Sequence, residues 1–144
     1  SSTVFTVNTD HSVNADAEPY IAYCFAEVQG YSKFGTYVGN GVADGPFIYT
    51  GFKPAFVILK GSSASGSWYM LDAGRDIDNV AHHALEAQAS GAEYTSYNFI
   101  DMLSNGFKLR LGTSEVNTSG NSYIYMAFAE NPFTTSTGVP TTAR

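Results

Sequence analysis

Positive charge is scarce in this sequence. Four Lys and three Arg, never clustered, stand against 13 Asp and Glu, for a formal net charge of −6. Neutralising phosphates takes a stripe of cations, so nucleic-acid binding is disfavoured. Cysteine is rarer still: the single Cys24 excludes an internal disulfide framework and any Cys-x-x-Cys metal knuckle. Within its apolar stretch it reads as a small buried hydrophobe. No apolar run approaches the roughly 20 residues of a membrane-spanning helix. The opening Ser-Ser shows no Met, basic n-region or apolar h-region of a secretion signal, so the chain reads as soluble and as a fragment or processed product.

Charge of either sign is thin, at 14% of residues against about 25% in an ordinary soluble domain. Apolar residues make up 44% and aromatics 15%. A chain of 144 residues is one domain, or one domain with a short attached piece of another, and exposes roughly 7,000 Å² when folded. With 7 basic and 13 acidic residues to cover that area, the composition points to an oligomeric or surface-assembled β protein.

Short runs with period-2 alternation, bounded by Gly, Pro, Asn, Asp and Ser, predict strands at Thr3–Val7, Pro19–Val28, Phe34–Val38, Phe47–Thr50, Pro54–Lys60, Ser67–Ala73, Phe99–Leu103, Phe107–Leu111 and Ser122–Glu130. The most continuously apolar run, Pro54–Lys60, reads as a central strand buried on both faces, with proline tolerated at its first position. It forms a hairpin with Ser67–Ala73 across the Gly/Ser-rich turn Gly61–Gly66, and Asn105-Gly106 marks a second hairpin. Asn79–Ala89 resists this reading, being rich in Ala, Leu, Glu and Gln, with Asp76 or Asp78 as a possible cap. Its apolar spacing is poor, so a short helix and a long irregular excursion both stay open. The fold class expected is an all-β antiparallel sandwich with Greek-key or jelly-roll-like connections and this one insertion.

An internal repeat organises the chain. Tyr20-Ile21-Ala22-Tyr23-Cys24-Phe25-Ala26-Glu27 matches Tyr123-Ile124-Tyr125-Met126-Ala127-Phe128-Ala129-Glu130 at five of eight positions, and Val13-Asn14 and Val116-Asn117 each lie seven residues upstream of the matching tyrosine. Residues 1–34 therefore resemble the terminal strands of a preceding repeat, 35–133 a complete sandwich, and 134–144 an irregular tail. Two terminal strands with unpaired backbone must add to the main sheet, to each other or to a neighbouring chain. Glu27 and Glu130, at equivalent strand ends, are expected to pair with Lys or Arg.

The blocks Tyr20–Lys60, Asp101–Arg110 and Tyr123–Phe133, with the Gly-Val-Pro-Thr-Thr-Ala-Arg ending, resemble a domain common at the C-terminus of tailed-phage virion proteins. Such proteins are often tail-fibre or structural proteins, and a concanavalin A-like lectin domain frequently precedes the domain. The resemblance implies a virion-surface role in attachment and supplies no catalytic residues. The departures fall mainly in Ser62–Ser67 and Asp76–Tyr97, where a binding specificity would vary.

Carbohydrate recognition sets flat aromatic faces against sugar rings and adds directed polar groups on loops over a rigid sheet. Trp68, His82, His83, Tyr94, Tyr97 and Asn98 are the candidates; Trp68 and Tyr69 point to opposite sides of their strand, so one of the two belongs to the core. Asp76, Asp78, His82 and His83 bring imidazole and carboxylate together, but adjacent histidines diverge and no calcium-loop pattern follows, so no metal is expected. The acidic residues Asp72, Asp76, Asp78, Glu86, Glu93 and Asp101 could hold a hydrolytic pair, yet strand ends and turns explain them more simply.

The expectation is a non-enzymatic virion surface protein, the distal domain of a tail fibre or similar appendage. It would assemble as a homotrimer, contact other virion proteins and present loops to a host-surface glycan, with no cofactor and no membrane insertion. A capsid or tail decoration protein is the alternative, and a glycan depolymerase a more distant one.

Overall fold

The computed structural model describes residues 3–63, 65–112 and 115–133. Among these, eight strands form two packed antiparallel sheets, an all-β sandwich: β1 (Ser32–Val38), β2 (Phe47–Tyr49), β3 (Pro54–Gly61), β4 (Tyr69–Asp72), β5 (Leu85–Glu86), β6 (Ile100–Leu103), β7 (Gly106–Leu109) and β8 (Ser122–Ala129). One sheet has the order β1-β8-β3-β4-β5 and the other β2-β7-β6. The chain crosses between sheets after β1, β2, β5 and β7, and its last strand inserts between the first and third, a jelly-roll-like winding.

Alternation decides which side chains meet. Tyr37 from β1, Val57 and Leu59 from β3, Tyr69 and Leu71 from β4, and Tyr123, Tyr125 and Ala127 from β8 are all buried. They face Ile48, Ile100, Met102, Phe107 and Leu109 of the other sheet. The Phe107 and Tyr125 rings meet edge to face at 5.4 Å across the layers, and Tyr37 stacks on Tyr123 at 5.0 Å. Each fully buried large apolar side chain stabilises the fold by about 1.5–3 kcal/mol, so this layer accounts for the sandwich.

Both expected hairpins form. β3 pairs β4 from Phe56↔Asp72 to Leu59↔Tyr69, and β6 pairs β7 from Ile100↔Leu109 to Leu103↔Gly106. Pro54 opens β3, where its missing N–H is tolerated, and the register with β8 shifts between Pro54 and Phe56. The inner face of β3 is fully buried, whereas Phe56, Ile58 and Lys60 on its outer face are only half-buried. That corrects the expectation of burial on both sides.

Two further expectations are overturned, and the alternative left open at Asn79–Ala89 is decided. Thr3–Val7 and Pro19–Val28 are not strands: the second joins no ladder and makes only an isolated bridge from Val28 to Ser32. Cys24 is consequently exposed rather than buried. Asn79–Ala89 is no helix; it holds β5 and isolated bridges from Ala81 to Ile100 and from Ala84 to Tyr94, because cross-strand burial of two alanines outweighs helix propensity. The helix that does form, His11–Asn14, is a single turn capped by Asp10, whose carboxylate accepts the Ser12 N–H at 2.8 Å. The expected tail, 134–144, lies outside the described residues. No described helix is long and apolar enough to cross a membrane.

Candidate functional site

Between β4 and β6 the chain makes a long excursion, from Ala73 to Phe99. Side chains rather than long ladders hold it. Asp72 ends β4 and accepts the N–H groups of Gly74 and Arg75 at 3.0 and 2.8 Å. The Arg75 guanidinium then bridges Asp72, at 2.5 Å, and Glu93, at 2.6 Å. Burial works against ionisation of Asp72 most strongly of any single influence, but the Arg75 N–H, its guanidinium and the Gly74 N–H outweigh it and hold the carboxyl below its ordinary value. Asn79 imitates a strand neighbour: its Oδ1 accepts the Met102 N–H at 2.8 Å and its Nδ2 donates to the Met102 carbonyl at 3.0 Å.

Asp76 is the second latch. Its side chain is 6% exposed; Oδ2 accepts the N–H groups of His82 and His83 at 2.9 and 2.8 Å, and Oδ1 lies 2.7 Å from His83 Nδ1. Burial opposes its charge, yet these donors hold its pKa below 3.8. The same carboxylate, accepting the ring N–H, raises His83 above its ordinary 6.5. Two backbone N–H groups and an imidazole thus occupy the carboxylate that a metal would need. Among the described residues, no three His, Cys, Asp or Glu are placed to hold an ion.

Beyond the latch the excursion folds back on itself through Ala81 and Ile100, 2.8 Å N to O, and through reciprocal bonds between Ala84 and Tyr94 at 3.1 and 2.9 Å. That pairing gathers an aromatic group: Tyr94 lies 5.8 Å from Tyr69 and 5.9 Å from Tyr97, and Tyr97 lies 5.9 Å from Phe99. Tyr69 and Phe99 are buried, while Tyr97 remains 48% exposed. The Tyr94 hydroxyl donates to Glu86 at 2.8 Å, and accepting that hydrogen bond lets the carboxylate raise the tyrosine pKa. Nearby, His82 Nδ1 is 3.2 Å from Asn98 Oδ1, and the His82 and His83 rings meet edge to face at 6.5 Å.

Five of the six predicted residues therefore share the excursion: Tyr94 and Tyr97 through ring contacts, His82, His83 and Asn98 through polar ones, the two sets joined at the Tyr97–Asn98 peptide. Trp68 is separate. Tyr69 takes the core side of β4 and Trp68 the opposite one, 37% exposed, its backbone tied to Gln88 and Ala87. Sequence reasoning missed the roles of Arg75 and Asn79, although Asp72-x-x-Arg75 is an ordinary turn spacing for an ion pair. A cleft lined by Lys53, Ala73, Asp76, Ile77, Asp78, Asn79 and Met102 has a volume of about 180 Å³, below the roughly 300 Å³ at which ligand pockets begin. The surface thus offers an oriented ring with polar neighbours, suited to shallow recognition.

Residues 1–132 match the model of a family described as a domain of unknown function, DUF7483, and the chain belongs to that family. No curated protein and no solved structure matches it.

Proposed function

We propose that this chain is a non-enzymatic surface module of a virion, the distal domain of a tail fibre or comparable appendage, which assembles and presents the excursion between β4 and β6 to a host-surface glycan. The observation that carries the reading is Tyr97: a half-exposed ring braced from behind by Tyr94 and Phe99, beside the hydrogen-bonded pair His82–Asn98, on a segment pinned by Asp76, Arg75 and Asn79. Such a ring gives a sugar a fixed apolar face at little entropic cost, and imidazole and amide supply direction. Each contact is weak, and several copies on one appendage would convert it into useful avidity. The resemblance of Tyr20–Lys60, Asp101–Arg110 and Tyr123–Phe133 to tailed-phage domains supports the virion setting.

A glycan array probed with the assembled protein tests this. Binding to a defined class of glycans, lost by at least roughly tenfold in Tyr97→Ala, is the expected result; stacking by one aromatic is worth on the order of 0.5–1.5 kcal/mol, multiplied over copies. No binding to any surface glycan, or binding indifferent to Tyr97, overturns the attachment reading. Decoration of the particle without a ligand is the second reading, favoured by the apolar outer side of the five-stranded sheet, where Phe34, Phe56, Ile58, Ile124, Met126 and Phe128 are each only partly buried. A depolymerase has less support, since Asp72 and Glu93 are both tied up by the Arg75 guanidinium.

A further inference from the structure

Residues 14–20 repeat the hydrogen bonding of residues 117–123, displaced by 103 positions, with Asn8 standing where Leu111 stands. Asn14 Nδ2 donates to the Asn8 carbonyl at 2.9 Å, and Asn117 Nδ2 to the Leu111 carbonyl at 2.9 Å. The Ala15 N–H donates to the Tyr20 hydroxyl at 2.9 Å, and the Thr118 N–H to the Tyr123 hydroxyl at 2.9 Å. Glu18 N–H reaches Ala15 O as Asn121 N–H reaches Thr118 O. Ala17 holds a φ of 62° where Gly120 holds 79°, a left-handed backbone with no side-chain reason in alanine. Glu27 pairs with Lys33, and Glu130 with Lys53.

The two copies differ in what covers them. Val116, Asn117, Tyr123 and Ala127 are at most 1% exposed, because β1 and the turn after it lie against them. Tyr37 stacks on Tyr123 and donates its hydroxyl to the Val116 carbonyl at 2.7 Å. Asn117 Oδ1 accepts the Asn40 N–H at 3.0 Å, and its Nδ2 donates to the Val42 carbonyl at 2.9 Å. Their counterparts Val13, Asn14, Tyr20 and Cys24 are all exposed. Where Tyr37 would lie there is an open groove of about 500 Å³, lined by Phe5, Val7, Val13, Tyr20 and Ala22, with Asn14 at its side.

We propose that this groove receives the first strand and following turn of another sandwich of this family, one whose place for its own last two strands is vacant. A tyrosine equivalent to Tyr37 stacks on Tyr20 and donates to the Val13 carbonyl, and Asn14 takes the turn as Asn117 does here. Residues 4–7 and 20–25, which form no ladder within this chain, are then donated to the neighbouring unit and take up strand pairing there. This rests on the assembly half of the reading above. Glycan binding through Tyr97 involves none of these residues, so either can fail alone.

Cys24 reports on the groove because its counterpart, Ala127, is fully buried. The test places a copy of residues 29–105 directly before residue 3 of the full chain, so that residues 3–27 can complete it, and follows labelling of Cys24 by a maleimide. The tandem is expected to slow labelling by on the order of 100-fold or more relative to the lone chain. Changing the added unit's tyrosine at the Tyr37 position to Ala restores the fast rate, whereas the Phe variant restores it only in part. Unchanged labelling, with the added unit's strands protected in amide exchange, overturns the proposal. If the added unit gains no protection, a peptide of residues 29–45 offered to the lone chain decides: slowing by the native peptide and not by its Tyr→Ala form supports the groove, and no slowing overturns it. Protection of Cys24 that grows with the concentration of the lone chain assigns the groove to a second copy exchanging β8, and so overturns the partner named here.

Discussion

Two buried polar side chains carry more of this structure than their neighbours. Asp76 and His83 form a latch whose pH dependence follows from opposite shifts. His83 is raised above 6.5, so its stabilisation is complete below 6.5 and is lost as pH rises through the raised value. Asp76 is lowered below 3.8, so its contribution holds above 3.8 and is lost as pH falls through the depressed value. The latch is strongest between those limits, and histidine ring resonances followed by NMR are expected to give His83 a midpoint above 6.5 that falls towards 6.5 in Asp76→Asn. A midpoint indifferent to that change would show that the carboxylate does not hold the ring. Asn117 is the other case. It is fully buried and bonds to Asn40, Val42 and Leu111, so Asn117→Ala strands several backbone groups and should destabilise by about 2–4 kcal/mol in urea unfolding. Asn14→Ala, at the matching but exposed position, should change stability in the lone chain by no more than about 0.5 kcal/mol. Equal losses at the two positions would mean that the N-terminal copy is already covered.

At the scale of elements, strand patterns were legible and strand partners were not. Alternation located β4, β6, β7 and β8 because each buries one face against the other sheet, a continuous apolar run located β3, and a two-residue turn signal located the β6–β7 hairpin. The same alternation at Pro19–Val28 yields no strand, since pairing needs a partner that local pattern cannot name. The excursion was located, but its conformation was not: Ala81 and Ala84 carry no β signal, and they pair because Ile100 and Tyr94 bury them. Five candidate residues converge because that pairing brings 81–84 against 94–100, whereas Trp68 was grouped with them on chemistry alone and the pleat of β4 sends it away. Gly106 shows how closely two elements can approach: a Cβ there would run into the Ile48 carbonyl of β2, a backbone atom that cannot yield without parting β2 from β7. Gly106→Ala is expected to cost about 2–4 kcal/mol, while Gly91→Ala, with nothing within 4 Å, should stabilise by about 0.4–1 kcal/mol through the unfolded chain. Thermal melts of the two variants should move in opposite directions; a tolerated Gly106→Ala would mean that β2 is not held against the hairpin.

At the scale of the whole molecule, the scarcity of charge has a location. The inner sides of both sheets are covered by each other, and the outer side of the three-stranded sheet carries Lys108, Asp101 and the exposed Phe47 and Tyr49. The outer side of the five-stranded sheet is different. Down its centre run Phe34, Met126 and Ile58, with Phe56, Phe128 and Ile124 beside them, and Phe25 from the unpaired segment covers one corner, 6.1 Å from both Phe34 and Phe128. Each of these side chains is only partly exposed, but together they leave a contiguous apolar strip of the kind found at interaction sites. Copies of this chain meeting by these sides would hide the patch and set the excursions around a common axis, as a multivalent appendage requires. At micromolar concentration, sedimentation equilibrium should therefore give a mass above 15.5 kDa, with a trimer expected. Ile58→Lys should return it to the monomer while leaving the fold intact, since Ile58 lies outside the core. The charge would be desolvated at the centre of the interface, which costs several kcal/mol if left unpaired, more than enough to dissociate a micromolar complex held by about 8 kcal/mol. A wild-type monomer at that concentration would leave the patch to some other protein and remove self-assembly from the proposed function; a trimer unaffected by Ile58→Lys would move the interface to another side of the sandwich.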